Sequence, residues 1–229
     1  MNSFNSKRIP NIMAVIIIIM LGAGLKIVVD YSLTVDKEAG YLWAQKIFYY
    51  HVPSAWTAFL GYFIVMIAGV QFLRTGNRKW DQIGVASAEL GTFFCLLILI
   101  TGPIWGQAAW GQPWTWEPRL LTTLILFLLY VGYFMLRQFG GHYERIARNS
   151  AVLGIIAFLD VPIVYLSLKF WSADTQAHPQ LGMSEQSSLV LNVFFFNLAT
   201  FTLLFIYMVW YRIHILKLKQ KQLELTHGL

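Results

Sequence analysis

Residues 83–120 read IGVASAELGTFFCLLILITGPIWGQAAWGQPWTWEPRL. From Ile83 to Ile104 the stretch holds one carboxylate, Glu89, and is otherwise apolar or small. A bilayer core is about 30 Å thick and takes about 20 apolar residues per helix, so this run predicts a membrane span. Working outward, five further runs of comparable length appear: Ile9 to Val29, His51 to Leu73, Leu120 to Leu136, Ser150 to Phe170 and Ser187 to Tyr211. The predicted fold is all-α, an integral membrane bundle of six transmembrane helices forming one domain over residues 1–229, with roughly 120 residues committed to lipid. Composition points the same way. Of 229 residues, 57% are hydrophobic, 16% aromatic and 12% charged, and the mean hydropathy is +0.57. Soluble domains carry about 25% charged residues, so a water-soluble monomer is excluded. The short connections also leave no room for a large catalytic domain outside the membrane. Cys95 is the sole cysteine, which excludes an internal disulfide and any Cys-x-x-Cys site. The net charge of +6 does not indicate nucleic acid, because no soluble domain offers a basic face.

The charge is a topology signal instead. Lys7 and Arg8 precede the first span; Arg74, Arg78 and Lys79 join the second to the third; Arg137, Arg145 and Arg148 join the fourth to the fifth. Arg212, Lys217, Lys219 and Lys221 follow the last. Twelve of the 17 basic residues thus fall on one side, which the positive-inside rule makes cytoplasmic along with both termini. The outer connections are then Asp30 to Tyr50, Trp105 to Arg119 and Trp171 to Gln186. The basic start and apolar run at the N-terminus resemble a signal peptide, but no small-residue cleavage site closes the run, and it is read as a span. The basic tail, residues 212–229, is expected to lie along the anionic inner lipid surface.

The unusual chemistry lies on the outer side. Trp105, Trp110, Trp114 and Trp116, four of nine tryptophans, fall within twelve residues. They read either as an interfacial aromatic belt or as a ligand platform. Gly102, Pro103, Gly106, Gly111 and Pro113 are expected to break any helix here and fold the loop, about residues 102–119, into a shelf. Beside it, Glu117 and Arg119 suit a flat apolar ligand with charged groups, and Arg119 can grip a carboxylate through its planar fork. His142, His214 and His227 lie among cytoplasmic charges. His51, in FYYHVPSAW, and His178, in KFWSADTQAHPQLG, instead reach the outer side from distant parts of the chain. Two imidazoles flanking indoles match the two axial positions of a porphyrin iron. Zinc also takes histidine, but no His-x-x-x-His or Glu-x-x-His spacing supplies further ligands.

In these features the chain resembles the CcmC family, the haem-handling protein C of cytochrome c maturation, within the wider group defined by a tryptophan-rich (WWD) loop. The resemblance covers nearly the whole chain: six spans, HVPSAW at the second, WGQAAWGQPWTWEPRL between the third and fourth, and a histidine in the last outer loop. It implies that His51 and His178 are the axial ligands of haem b. It also implies that Trp105, Gly106, Trp110, Gly111, Trp114 and Trp116, with Glu117, form the binding loop, and that Arg119 and Lys46 lie near the propionates. It implies a bacterial inner-membrane protein with a periplasmic site that hands haem to a CcmE-like chaperone. CcmA- and CcmB-like transporter subunits, a small CcmD-like subunit and membrane lipid are the further partners implied. Trp116-Glu117 stands where the family has Trp-Asp, Pro113 where relatives often have another tryptophan, and Lys46 where they commonly have arginine, so a planar fork becomes a point charge.

Two other classes remain open. A haem lyase or synthetase shares the loop but carries more spans and an outer domain for its acceptor. A small-solute transporter would use intramembrane charges, for which Lys26, Glu89 and Asp160 are the candidates. The expected role is that of a carrier rather than an enzyme.

Overall fold

The computed structural model describes residues 3–30, 43–139, 141–170 and 186–227. Its helices are α1 (Ser3–Asp30), α2 (Phe48–Thr75), α3 (Arg78–Trp110), α4 (Pro118–Phe139), α5 (Tyr143–Phe158), α6 (Asp160–Phe170) and α7 (Ser188–His227), with one 3₁₀ turn (Ala44–Ile47) leading into α2. Six segments are long and apolar enough to cross a membrane, with mean hydropathies from 1.8 to 2.8, and α5 and α6 together supply one of them. All six predicted spans are present. The reason is general: lipid offers no partner for N–H and C=O groups, and a helix satisfies them within the segment.

The helices overrun the predicted spans. At 1.5 Å per residue the 33 residues of α3 measure about 50 Å, well beyond the hydrocarbon core. The helix continues through Gly102, Pro103 and Gly106 to Trp110, so the predicted break after Thr101 does not occur. Proline removes a single helical hydrogen bond, the one to the carbonyl four residues back, and membrane helices tolerate that loss. Termination comes at Gly111, whose φ of 72° is the left-handed conformation that closes helices. The outer connection shrinks from the expected Trp105–Arg119 to residues 111–117. The fifth span starts earlier than predicted, at Tyr143, and breaks at Leu159, whose N–H turns back to Ile156 at 3.0 Å. Pro162 explains the break, since it cannot donate to the carbonyl of Phe158.

The described residues form two compact units. The first draws on Met1–Thr57, Leu97–Thr115 and Ala177–Tyr207. Its centre joins the end of α1 to the starts of α2 and α7 through buried Val28, Tyr49, Val190, Val193 and Phe194. Phe48 stacks on Phe194 with centroids 5.2 Å apart. Buried Asn197 lies so close to Gly24 that a Cβ there has no room.

The second unit draws on Ala58–Leu96, Trp116–Gln176 and Met208–Leu229. Tyr62 and Tyr130 stack at 3.8 Å. A Cβ on Gly69 would lie 3.0 Å from the Ala151 carbonyl oxygen, and one on Gly154 would lie 2.7 Å from Val65. Small residues thus let α2 and α5 approach closely, the usual means of helix association where lipid removes the hydrophobic drive. Asp81 receives both guanidinium nitrogens of Arg137, at 2.8 and 3.0 Å, and the Tyr143 hydroxyl at 3.0 Å. Arg78 covers the Tyr143 ring at 4.1 Å.

Also in this unit, Arg212 binds Glu89 through two nitrogens, and Gln82 donates to Gln220 at 2.8 Å. The tail is therefore the unbroken continuation of α7, held antiparallel to α3 as far as Gln220. Two polar contacts about two helical turns apart bind it to α3. Glu89, a candidate for a transport path, is half of an ion pair about a third exposed. Such pairs contribute about 0.2–1 kcal/mol. Glu89→Gln is accordingly expected to leave proton flux in liposomes at the level of the unsubstituted protein, and a flux that disappears with the carboxylate would revive the transporter reading.

Candidate functional site

The site grows from the last three turns of α3, in the first unit. Thr101 Oγ1 donates to the Leu97 carbonyl one turn back at 2.7 Å. The same oxygen lies 2.8 Å from Nδ1 of His51, in the first turn of α2. The next residue, Gly102, presents bare backbone to the imidazole: a Cβ there would stand 3.6 Å from His51 Cε1. Trp105, one turn beyond Thr101, occupies the same side of α3 by helical spacing. Gly106 accommodates Trp110, whose ring edge would lie 3.0 Å from a Cβ at that position. Trp110 in turn meets Trp105 edge to face, centroids 5.0 Å apart and planes at 84°. Gln107 donates to the Gly111 carbonyl at 3.2 Å across the helix end. Trp114 follows, half-buried.

The remaining sequence-predicted residues are distributed as follows. Lys46 donates to the Val29 carbonyl at 3.0 Å, where an ammonium complements the C-terminal end of α1. Trp116, Glu117 and Arg119 belong to the second unit. Trp116 is 75% exposed. Glu117 is buried just before α4, its carbonyl accepting from Leu121 N–H at 3.1 Å, and its charge faces the positive end of that helix. Pro118 follows at the first helical position, where a missing N–H does no harm. Arg119 interacts electrostatically with Glu117 and Tyr165. Its Nε is buried without a hydrogen-bond partner among the described residues, a donor aimed at no protein acceptor. His178 lies outside the described residues.

Two participants were not read from the sequence. Thr101 carries no motif of its own, and only the tertiary approach of α2 to α3 reveals it as the neighbour of His51. Trp43 forms, with Pro103, Ile104, Gln107, Ala108 and Pro113, an open apolar hollow of about 550 Å³. Helical spacing spreads this lining from the far side of α3, at Pro103, round to the side that carries Thr101, at Ala108.

Fold and site together define a multi-pass helical membrane protein that sets an imidazole against the end of a long helix which, further along, carries paired indoles. The sequence profile of the family described as heme exporter protein C, CcmC, matches residues 2–226, and the chain belongs to that family. A ccmC-like mitochondrial protein of cytochrome c biosynthesis from Marchantia polymorpha is 32% identical over 151 residues, covering 65% of this chain and 64% of its own length. The "Heme exporter protein C" of Bradyrhizobium diazoefficiens is 34% identical over 164 residues, 70% of this chain and 62% of its own. That of Escherichia coli is 29% identical over 166 residues, 70% of this chain and 67% of its own. The matched part thus spans somewhat less than two thirds of the first two relatives.

Proposed function

We propose that this chain binds haem b at the periplasmic face of the bacterial inner membrane and presents it to a CcmE-like haem chaperone, acting as one membrane unit with both termini in the cytoplasm. The observation that carries the reading is the seating of His51 against Thr101 and Gly102, on the stretch of α3 that also carries the Trp105–Trp110 pair. His51 supplies one axial nitrogen and His178 the other, while Trp105, Trp110, Trp114 and Trp116 cover the ring, with Gly106 and Gly111 shaping the loop that holds them. Glu117 positions the first turn of α4. The unfilled donor on Arg119 suits a propionate, and Lys46 would serve as a second cation only on leaving the Val29 carbonyl. Two axial bonds retain the cargo, yet a site at the end of a helix stays open to a partner, and release requires one of those bonds to be replaced. CcmA- and CcmB-like transporter subunits and a small CcmD-like subunit are the proposed assembly.

The protein purified in detergent and loaded with haem is expected to show the absorption spectrum of six-coordinate, bis-histidine haem. Either His51→Ala or His178→Ala is expected to weaken retention or change that spectrum. A spectrum unaltered in both variants rules out this ligation. Incubation with apocytochrome alone is expected to give no covalent product, and product formation would favour a lyase.

A further inference from the structure

The hydrogen bonds around His51 assign a positioning role to Thr101, and the inference rests on the reading of His51 as an axial ligand. A threonine hydroxyl has one proton to donate and lone pairs to accept with. Here the proton is directed at the Leu97 carbonyl, 2.7 Å away within α3. The oxygen that remains 2.8 Å from His51 Nδ1 is therefore an acceptor, and Nδ1 must carry the imidazole proton. In the neutral ring that fixes the lone pair on Nε2, the nitrogen that would bind a metal.

We infer that Thr101 acts as the outer-shell partner of His51, selecting the tautomer that ligates iron and fixing the rotation of the ring. Gly102 lies beside the same ring, where a Cβ would meet His51 Cε1 at an ordinary contact distance of 3.6 Å. The pairing is robust because the acceptor is itself tied down: the hydroxyl is anchored to its own helix and cannot turn its proton toward Nδ1 without abandoning Leu97. Outer-shell partners of ligating histidines typically contribute 10- to 100-fold in metal affinity. The side chain spacing also explains why the residue is a threonine on a helix. The hydroxyl of a helical threonine reaches its own i−4 carbonyl, so its proton is used locally and its lone pairs are left for a neighbouring helix.

The test compares the full-length protein with Thr101→Val, Thr101→Ser and His51→Ala, each loaded with haem in detergent and followed by haem titration and low-temperature electron paramagnetic resonance. Thr101→Val, of nearly the same shape, is expected to lose about 10- to 100-fold in haem affinity and to shift the low-spin ferric signal. Thr101→Ser, which keeps the hydroxyl, is expected to retain both. A Thr101→Val protein with unchanged affinity and signal overturns the positioning role, as does a Thr101→Ser protein that loses as much as the valine variant. A His51→Ala protein with the unchanged signal overturns instead the ligation on which the role depends, so the two failures are distinguishable. A second measurement needs no variant at Thr101: nitrogen NMR of the haem-free protein with ¹⁵N-labelled histidine, His51 being assigned by its loss in His51→Ala. Protonated Nδ1 is expected, and protonated Nε2 overturns the inference.

Discussion

Asp81→Ala is expected to lower the unfolding stability of the detergent-solubilised protein by about 3–5 kcal/mol. Asp81 and Arg137 form a pair whose side chains are 7% and 18% exposed, and the carboxylate also accepts from Tyr143. Removing it strands a guanidinium in a place water barely reaches and leaves a phenol without its acceptor. The second ion pair of the same unit, Arg212 with Glu89, is less enclosed by protein, 34% and 31% exposed. Glu89→Ala is accordingly expected to cost less, no more than about 1 kcal/mol. Mixed-micelle unfolding by a denaturing detergent reads both. If the two variants unfold alike, burial is not what separates the pairs. The double variant Asp81→Ala with Arg137→Met is expected to recover much of the loss, because it is the unpaired charge, more than the missing bond, that costs.

The contrast between these pairs also marks how far sequence could be read. Span number and helical class follow from run length, because lipid permits one secondary structure to any long apolar segment that does not close into a barrel. Helix ends are less legible. Gly102, Pro103 and Gly106 are breakers by local propensity, yet α3 continues through them. The cost of one lost hydrogen bond and two glycines is small beside the support of six preceding apolar turns, and only Gly111, with its left-handed backbone, ends the helix. Pro162 did break its span, because it cannot donate to the Phe158 carbonyl, and the chain turns at Leu159 instead.

Of the site, residue types were legible and partnerships were not. Histidine and tryptophan announce their chemistry by type. That His51 leans on Thr101, or that Lys46 serves the end of α1, depends on which helices meet, and no spacing within one segment encodes that. The glycines changed meaning for the same reason. Gly106, read as a turn former, is the surface on which an indole rests, and Gly102 continues the helix beside His51.

That changed meaning yields the sharpest expectation for the site. Gly106→Leu is expected to lower haem affinity about tenfold, equivalent to about 1.4 kcal/mol. A Cβ at this position would sit 3.0 and 3.1 Å from the Trp110 ring and 3.3 Å from the Gln112 carbonyl oxygen. The carbonyl belongs to the backbone and yields little, so the indole must move. Its edge-to-face contact with Trp105, at 5.0 Å, then opens. Aromatic pairs of this kind contribute about 0.5–1.5 kcal/mol beyond their buried area. Losing that, together with the ring face Trp110 offers to the cargo, sets the size of the effect. Gly132→Ala in α4 serves as the control, since a Cβ there meets nothing within 4 Å. Glycine is the poorer helix former, so that variant is expected to be neutral or more stable by about 0.5–1 kcal/mol and to bind haem as before. Should Gly106→Leu titrate with the affinity of the unsubstituted protein, the Trp105–Trp110 pair is no part of the haem seat. The indoles would then be an interfacial belt, and His51 would have to hold the iron without them.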